Sequence, residues 1–144
     1  LPVIYSTHPR SRKFIEARGF SFHPLVRGLK PFGFFDYNHL QMNSYCVLSD
    51  SGTLSEESAM LHFTGVLLRT STERPEVLDK GTVVIGGIKG EDVVQALELA
   101  VAMRENGEET AMAEDYAVTN VSAKVVKLIQ SYTKIVNQTV WLKR

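Results

Sequence analysis

Four short, β-rich and mostly apolar runs, Val3 to Ser6, Cys46 to Ser49, Val66 to Arg69 and Val83 to Ile85, recur along this chain with helical patterns between or after them. None alternates in polarity, which is the pattern of strands buried on both faces. Strands that alternate with helices in this way predict an α/β fold with a parallel sheet and helices on both faces. A fifth strand is expected near Gly28 to Phe32.

Caps and periodicity place the helices. Pro9 suits a first helical turn, Phe14 and Ile15 supply an apolar edge, and Gly19 is a stop. Asp36 is expected to cap a short helix reaching Asn43. From Asp92 to Glu105 the residues Val93, Leu97, Ala100 and Val101 share a face, and Asn106-Gly107 ends the pattern. Glu108 to Val121 reads as a short helix and a loop. Ser122 precedes a long segment with a stripe of Val125, Ile129, Tyr132 and Val136 and an apolar tail, Val140-Trp141-Leu142. Two readings of that tail stand side by side: Trp141 closes the domain's own core, or it packs on a surface that this chain does not provide.

At 144 residues and 44% hydrophobic content one domain with one sizeable core is expected. Sixteen basic and sixteen acidic side chains cancel, so no global field recruits nucleic acid or an anionic membrane, and an anion must be held by a local cluster. No apolar stretch has the length of a membrane span, and no signal peptide is visible. The single cysteine, Cys46, has no intrachain partner and is expected to be a buried, inert thiol in a cytoplasmic protein. Leu1-Pro2-Val3 opens in mid-strand, which reads as a piece of a longer polypeptide.

Ligands of open α/β sheets bind where strands end. His8 and Arg10 follow the first strand, Asp50 to Thr53 the next, and Thr70 to Glu76 the third, and these loops are expected to meet on one edge. In Leu48-Ser49-Asp50-Ser51-Gly52-Thr53-Leu54-Ser55-Glu56-Glu57 a strand empties into a helix start through Ser51-Gly52. Unpaired N–H groups and the helix dipole favour a phosphate there, with Gly52 admitting it close to the backbone. His8, Arg10, Arg69 and Arg74 would complete a pocket suited to a diphosphate. Thr53-x-x-Glu56 fits a capping box, which leaves Glu57 to accept hydrogen bonds from hydroxyls such as those of a ribose.

His23, His39 and His62 have neither HExxH spacing nor cysteine partners, so no metal is expected. The chain has no GxxxxGK loop, no complete GxGxxG fingerprint and no GxSxG elbow, and Ser51 has no evident base partner. Ser51 therefore reads as a ligand rather than a nucleophile.

The series His8-Pro9-Arg10, Asp50-Ser51-Gly52-Thr53-Leu54-Ser55-Glu56-Glu57 and Arg69-Thr70-Ser71-Thr72-Glu73-Arg74-Pro75-Glu76 resembles the C-terminal half of the non-hydrolysing UDP-N-acetylglucosamine 2-epimerases, over Val3 to about Asn106. The resemblance implies that residues 1–144 are the second, Rossmann-like domain of a glycosyltransferase-B type fold, without the N-terminal domain. It implies that Ser51, Gly52 and Thr53 hold the UDP diphosphate, Glu57 the ribose, and that His8 and Arg10 lie beside the diphosphate. Phe35 to Leu40 would border the uracil, and Arg74 would order the loop at the cleft. It further implies no cofactor, a UDP-N-acetylhexosamine substrate, acid and base groups mainly in the N-terminal domain (with His8 as a further candidate), an isolated domain that is inactive, and a full-length homodimer.

This sequence departs from the commonest pattern of that family. The usual His-Arg-Arg and DSGG are replaced by His8-Pro9-Arg10 and Asp50-Ser51-Gly52-Thr53. The Thr53 form, with Phe32-Gly33-Phe34-Phe35-Asp36-Tyr37 and His39-Leu40-Gln41-Met42-Asn43 upstream, is more similar to the branch making UDP-N-acetyl-L-fucosamine for capsule and O-antigen. The alternatives are a UDP-N-acetylglucosamine 2-epimerase making UDP-N-acetylmannosamine, a retaining glycosyltransferase of the same architecture, and a non-enzymatic UDP-sugar-binding or subunit-interaction module.

Overall fold

The structure, a computed structural model, describes residues 1–108 and 110–143. The chain divides into two compact units, Leu1–Ser44 and Tyr45–Arg144.

In the first unit β1 (Val3–Ser6) pairs in parallel with β2 (Val26–Leu29), in the register Val3 to Val26. The expected fifth strand is therefore real but begins earlier than Gly28. Between the two strands lies α1 (Pro9–Ala17), with Pro9 in its first turn and Gly19 at φ +57° just beyond its end. The helix α2 (Phe34–Met42) follows. Gly33, not Asp36, is its N-cap; Asp36 lies inside the first turn, where a carboxylate favours the helix dipole without capping. Thr7 and Gln41 are the buried residues here, and the unit's apolar side chains are half-buried or exposed.

The second unit carries the core. Its sheet has the order β3 (Val47–Ser49), β4 (Gly65–Leu67), β5 (Val83–Ile85), all parallel. The helices are α3 (Leu54–Leu61), α4 (Pro75–Asp79), α5 (Gly90–Glu105) and α6 (Val121–Thr139), with a 3₁₀ turn at Glu114–Ala117. On one face Leu67 and Val83 join Leu54, Phe63 and Val77 in a buried cluster. On the other, Val66 packs with Ala96 and Ala100 of α5, with Cys46, Val84 and Leu97 around them. Successive residues of β4 thus enter opposite clusters, so the strand must be apolar throughout. Gly86 is required by close approach, since a Cβ there would lie 2.6 Å from Val66 Cγ1.

Cys46 is half-buried rather than fully enclosed, and burial pushes its thiol from 9.0 up to about 11 despite the opposing pull of Arg104. At α6 the N-cap is Asn120, and Ser122 falls inside the helix. No residue of α6 is buried, and Trp141 is 66% exposed, so the indole does not close this chain's core. Among the described residues no helix is long and apolar enough to cross a membrane.

Candidate functional site

Ser49 ends β3 and Leu54 opens α3, so the four residues between them, Asp50 to Thr53, form a short turn off the carboxyl end of the sheet. Within it the Ser51 N–H donates to Ser49 Oγ (3.1 Å), and the hydroxyls of Ser51 and Thr53 lie 2.9 Å apart. Leu54 N–H and Ser55 N–H turn back to the carbonyls of Ser51 and Gly52, both at 3.3 Å. Among the described residues, the N–H groups of Gly52 and Thr53 have no hydrogen-bond partner. They are the donors such a helix entrance offers to an anion.

The loop after β4 closes over this turn. Arg69 donates from Nε to the Asp50 carbonyl at 2.6 Å, which ties the two strand-end loops together. Arg74 is the N-cap residue of α4 and donates from Nε to Glu56 Oε1 at 2.5 Å. Its guanidinium lies against Gly52: a Cβ at that glycine would meet Nη1 at 3.0 Å and Cζ at 3.4 Å. The hydrogen bond and charge of Glu56 raise the Arg74 pKa further above its ordinary value, so the cation is permanent.

One local expectation is corrected. Glu56 does not close a capping box, because Thr53 has αR backbone and makes no side-chain cap bond; the carboxylate is drawn to Arg74 instead. At Gly52 the Arg74 guanidinium takes up the space that a side chain would fill.

Glu57 lies half-buried in the first turn of α3. His8 and Arg10 belong to the first unit, where His8 is the N-cap of α1 and its Nδ1 accepts from the Arg10 N–H at 3.2 Å. Phe34 and Phe35 of α2 meet edge to face at 5.5 Å and are both well exposed. The structure therefore assembles Ser51, Gly52, Thr53, Glu56, Arg69 and Arg74 in one unit, while His8, Arg10 and the phenylalanines stand in the other.

Sequence reasoning missed Tyr116 and its pairing with Glu76. The Tyr116 hydroxyl donates to Glu76 Oε1 at 2.5 Å, which lowers the Glu76 pKa, while burial and that carboxylate raise the phenol's. Tyr116 sits in the polar stretch between α5 and α6, forty residues from Glu76, and no spacing rule links them. Among the described residues no group of three or more His, Cys, Asp or Glu could hold a metal ion.

The family described as UDP-N-acetylglucosamine 2-epimerase matches residues 1–130. A UDP-N-acetylglucosamine 2-epimerase of Neisseria meningitidis is 30% identical over 123 residues, which are 85% of this chain and 33% of that protein. A homologue from Methanococcus maripaludis is 31% identical over 67% of this chain and 27% of its own length. Among solved structures, the UDP-N-acetylglucosamine 2-epimerase of Rickettsia bellii superposes with a TM-score of 0.81 at 36% identity, covering 99% of this chain and 40% of that one. The N. meningitidis enzyme bound to UDP-GlcNAc superposes at 0.65, with 28% identity over 91% of this chain and 36% of its own. The chain thus spans about a third of the curated relatives that it matches. With the family matched over nearly all its residues and its α/β fold shared with these structures, the chain belongs to the UDP-N-acetylglucosamine 2-epimerase family.

Proposed function

We propose that this chain is the UDP-binding part of a UDP-N-acetylhexosamine 2-epimerase. The observation that carries the reading is the Arg74 guanidinium lying against Gly52, beside the unpartnered N–H groups of Gly52 and Thr53. Backbone donors at a helix start and a fixed arginine suit a diphosphate, whose oxygens accept from both. Ser51 and Thr53 would add hydroxyl donors, Glu57 would accept from the ribose, and His8 and Arg10 would contact the diphosphate.

In this reading the enzyme inverts the carbon bearing the acetamido group by eliminating UDP and adding it back without hydrolysis. The departing diphosphate gathers negative charge, and donors already aimed at it stabilise that charge without reorganising. The acid and base at the C2 proton are assigned to the N-terminal domain of the full-length, homodimeric cytoplasmic enzyme, so the chain alone binds without turning over. The exposed stripe of α6 and the first unit's lack of buried apolar side chains support a partner domain.

Thr53 and the residues upstream favour UDP-N-acetyl-L-fucosamine, made for capsule or O-antigen, as the product. A second reading, UDP-N-acetylglucosamine as the substrate, is supported by the names of the relatives. Isothermal titration of this chain with UDP tests the binding. Saturable binding weakened by about 1–3 kcal/mol in Arg74→Ala is expected, the range for a lost charge-assisted hydrogen bond. No binding at millimolar UDP would count against the site. Competition for bound UDP by the two UDP-sugars then separates the readings of the sugar.

A further inference from the structure

We propose that Tyr116 is a positioning residue for this site: its hydroxyl occupies Glu76, so that Arg74 pairs with Glu56 and its guanidinium stays over Gly52. The functional meaning rests on the diphosphate reading above.

Three carboxylates act on Arg74, and of these the adjacent Glu73 adds its charge to the Glu56 hydrogen bond that raises the Arg74 pKa, without a side-chain hydrogen bond of its own. Glu56 reaches it from the first turn of α3, and Glu76 stands two residues along its own chain, close enough for the Arg74 charge to act on it. A guanidinium drawn to Glu76 would give up the geometry that sets Nη1 against Gly52. The Tyr116 phenol prevents this by donating to Glu76 Oε1 at 2.5 Å. With the phenol donating to Oε1, part of the Glu76 charge is compensated by a donor other than Arg74, which lessens the pull of that carboxylate on the guanidinium. The phenol is itself held in place, because its ring packs against the buried cluster that contains Leu54 and Val77. That cluster includes Leu54, which opens α3, and Val77 of α4, so the phenol stands against the same core that both helices share.

The test is made on the whole chain and reads Arg74 directly. The Arg74 Nε–H resonance, assigned by its loss in Arg74→Lys, is expected to be sharp and slow to exchange with solvent. Tyr116→Phe keeps the ring and removes only the hydroxyl. It is expected to speed that exchange about fivefold and to weaken UDP about three- to tenfold, with affinity for uridine unchanged. Tyr116→Phe/Glu76→Gln removes the competing charge as well and is expected to restore both. An Arg74 signal unaffected by Tyr116→Phe overturns the proposal, and so does a double variant that is not restored, since a merely structural role would not be rescued. If the wild type fails to bind UDP while the Arg74 signal still responds and is rescued, the diphosphate reading falls and the positioning role stands.

Discussion

Two glycines show why a residue's meaning depends on what lies opposite its Cα. At Gly52 the neighbour is the far end of a long arginine side chain, so Gly52→Ala is expected to fold normally, push the Arg74 guanidinium aside and weaken UDP by about 1 kcal/mol. Titration calorimetry beside a thermal melt checks both parts. At Gly86 the neighbour is a methyl of Val66, a residue with no solvent exposure. Gly86→Ala therefore overpacks a closed core and is expected to cost about 1–3 kcal/mol in urea unfolding. Cys46 supplies a pH dependence. Its folded pKa is raised by burial, so between 9.0 and about 11 the unfolded chain has released a proton that the folded chain retains, and stability falls as pH rises through that window. Unfolding at pH 8 and pH 10.5 should show the loss, and Cys46→Ala should make it smaller.

At the scale of elements, local signals succeeded where the deciding forces are local. The Pro9 start and Gly19 stop of α1, the Asn106-Gly107 end of α5 and the whole of β1 and β5 were legible, because caps and apolar runs act within a few residues. The capping box failed at Thr53 because a cation from a distant loop offers Glu56 more than a backbone N–H does. Among the helices α6 shows most clearly what sequence periodicity cannot tell. Its stripe is real, yet Val125, Ile129 and Tyr132 are all about half exposed. With its backbone unsupported by packing, α6 is expected to exchange its amide hydrogens much faster than β4, whose three residues are all buried. Comparable protection in the two elements would mean that the α6 stripe is covered in solution.

For the whole molecule, the proposed nucleotide site together with an incomplete set of apolar contacts predicts binding without catalysis. This chain, incubated with UDP-N-acetylglucosamine, is expected to bind it and leave its C2 configuration unchanged; an epimerised product would place the acid and base within these residues. Fold class and family were determined by the sequence itself: apolar runs that must be buried on both faces, helices between them, and the ordered motifs around Ser51 and Arg74. Only the tertiary structure decided that Arg74 belongs to Glu56 and Gly52, that Tyr116 takes Glu76, and that α6 stands unpacked. Those are pairings between residues far apart in the chain, and sequence spacing carries information only about groups the backbone itself keeps within reach.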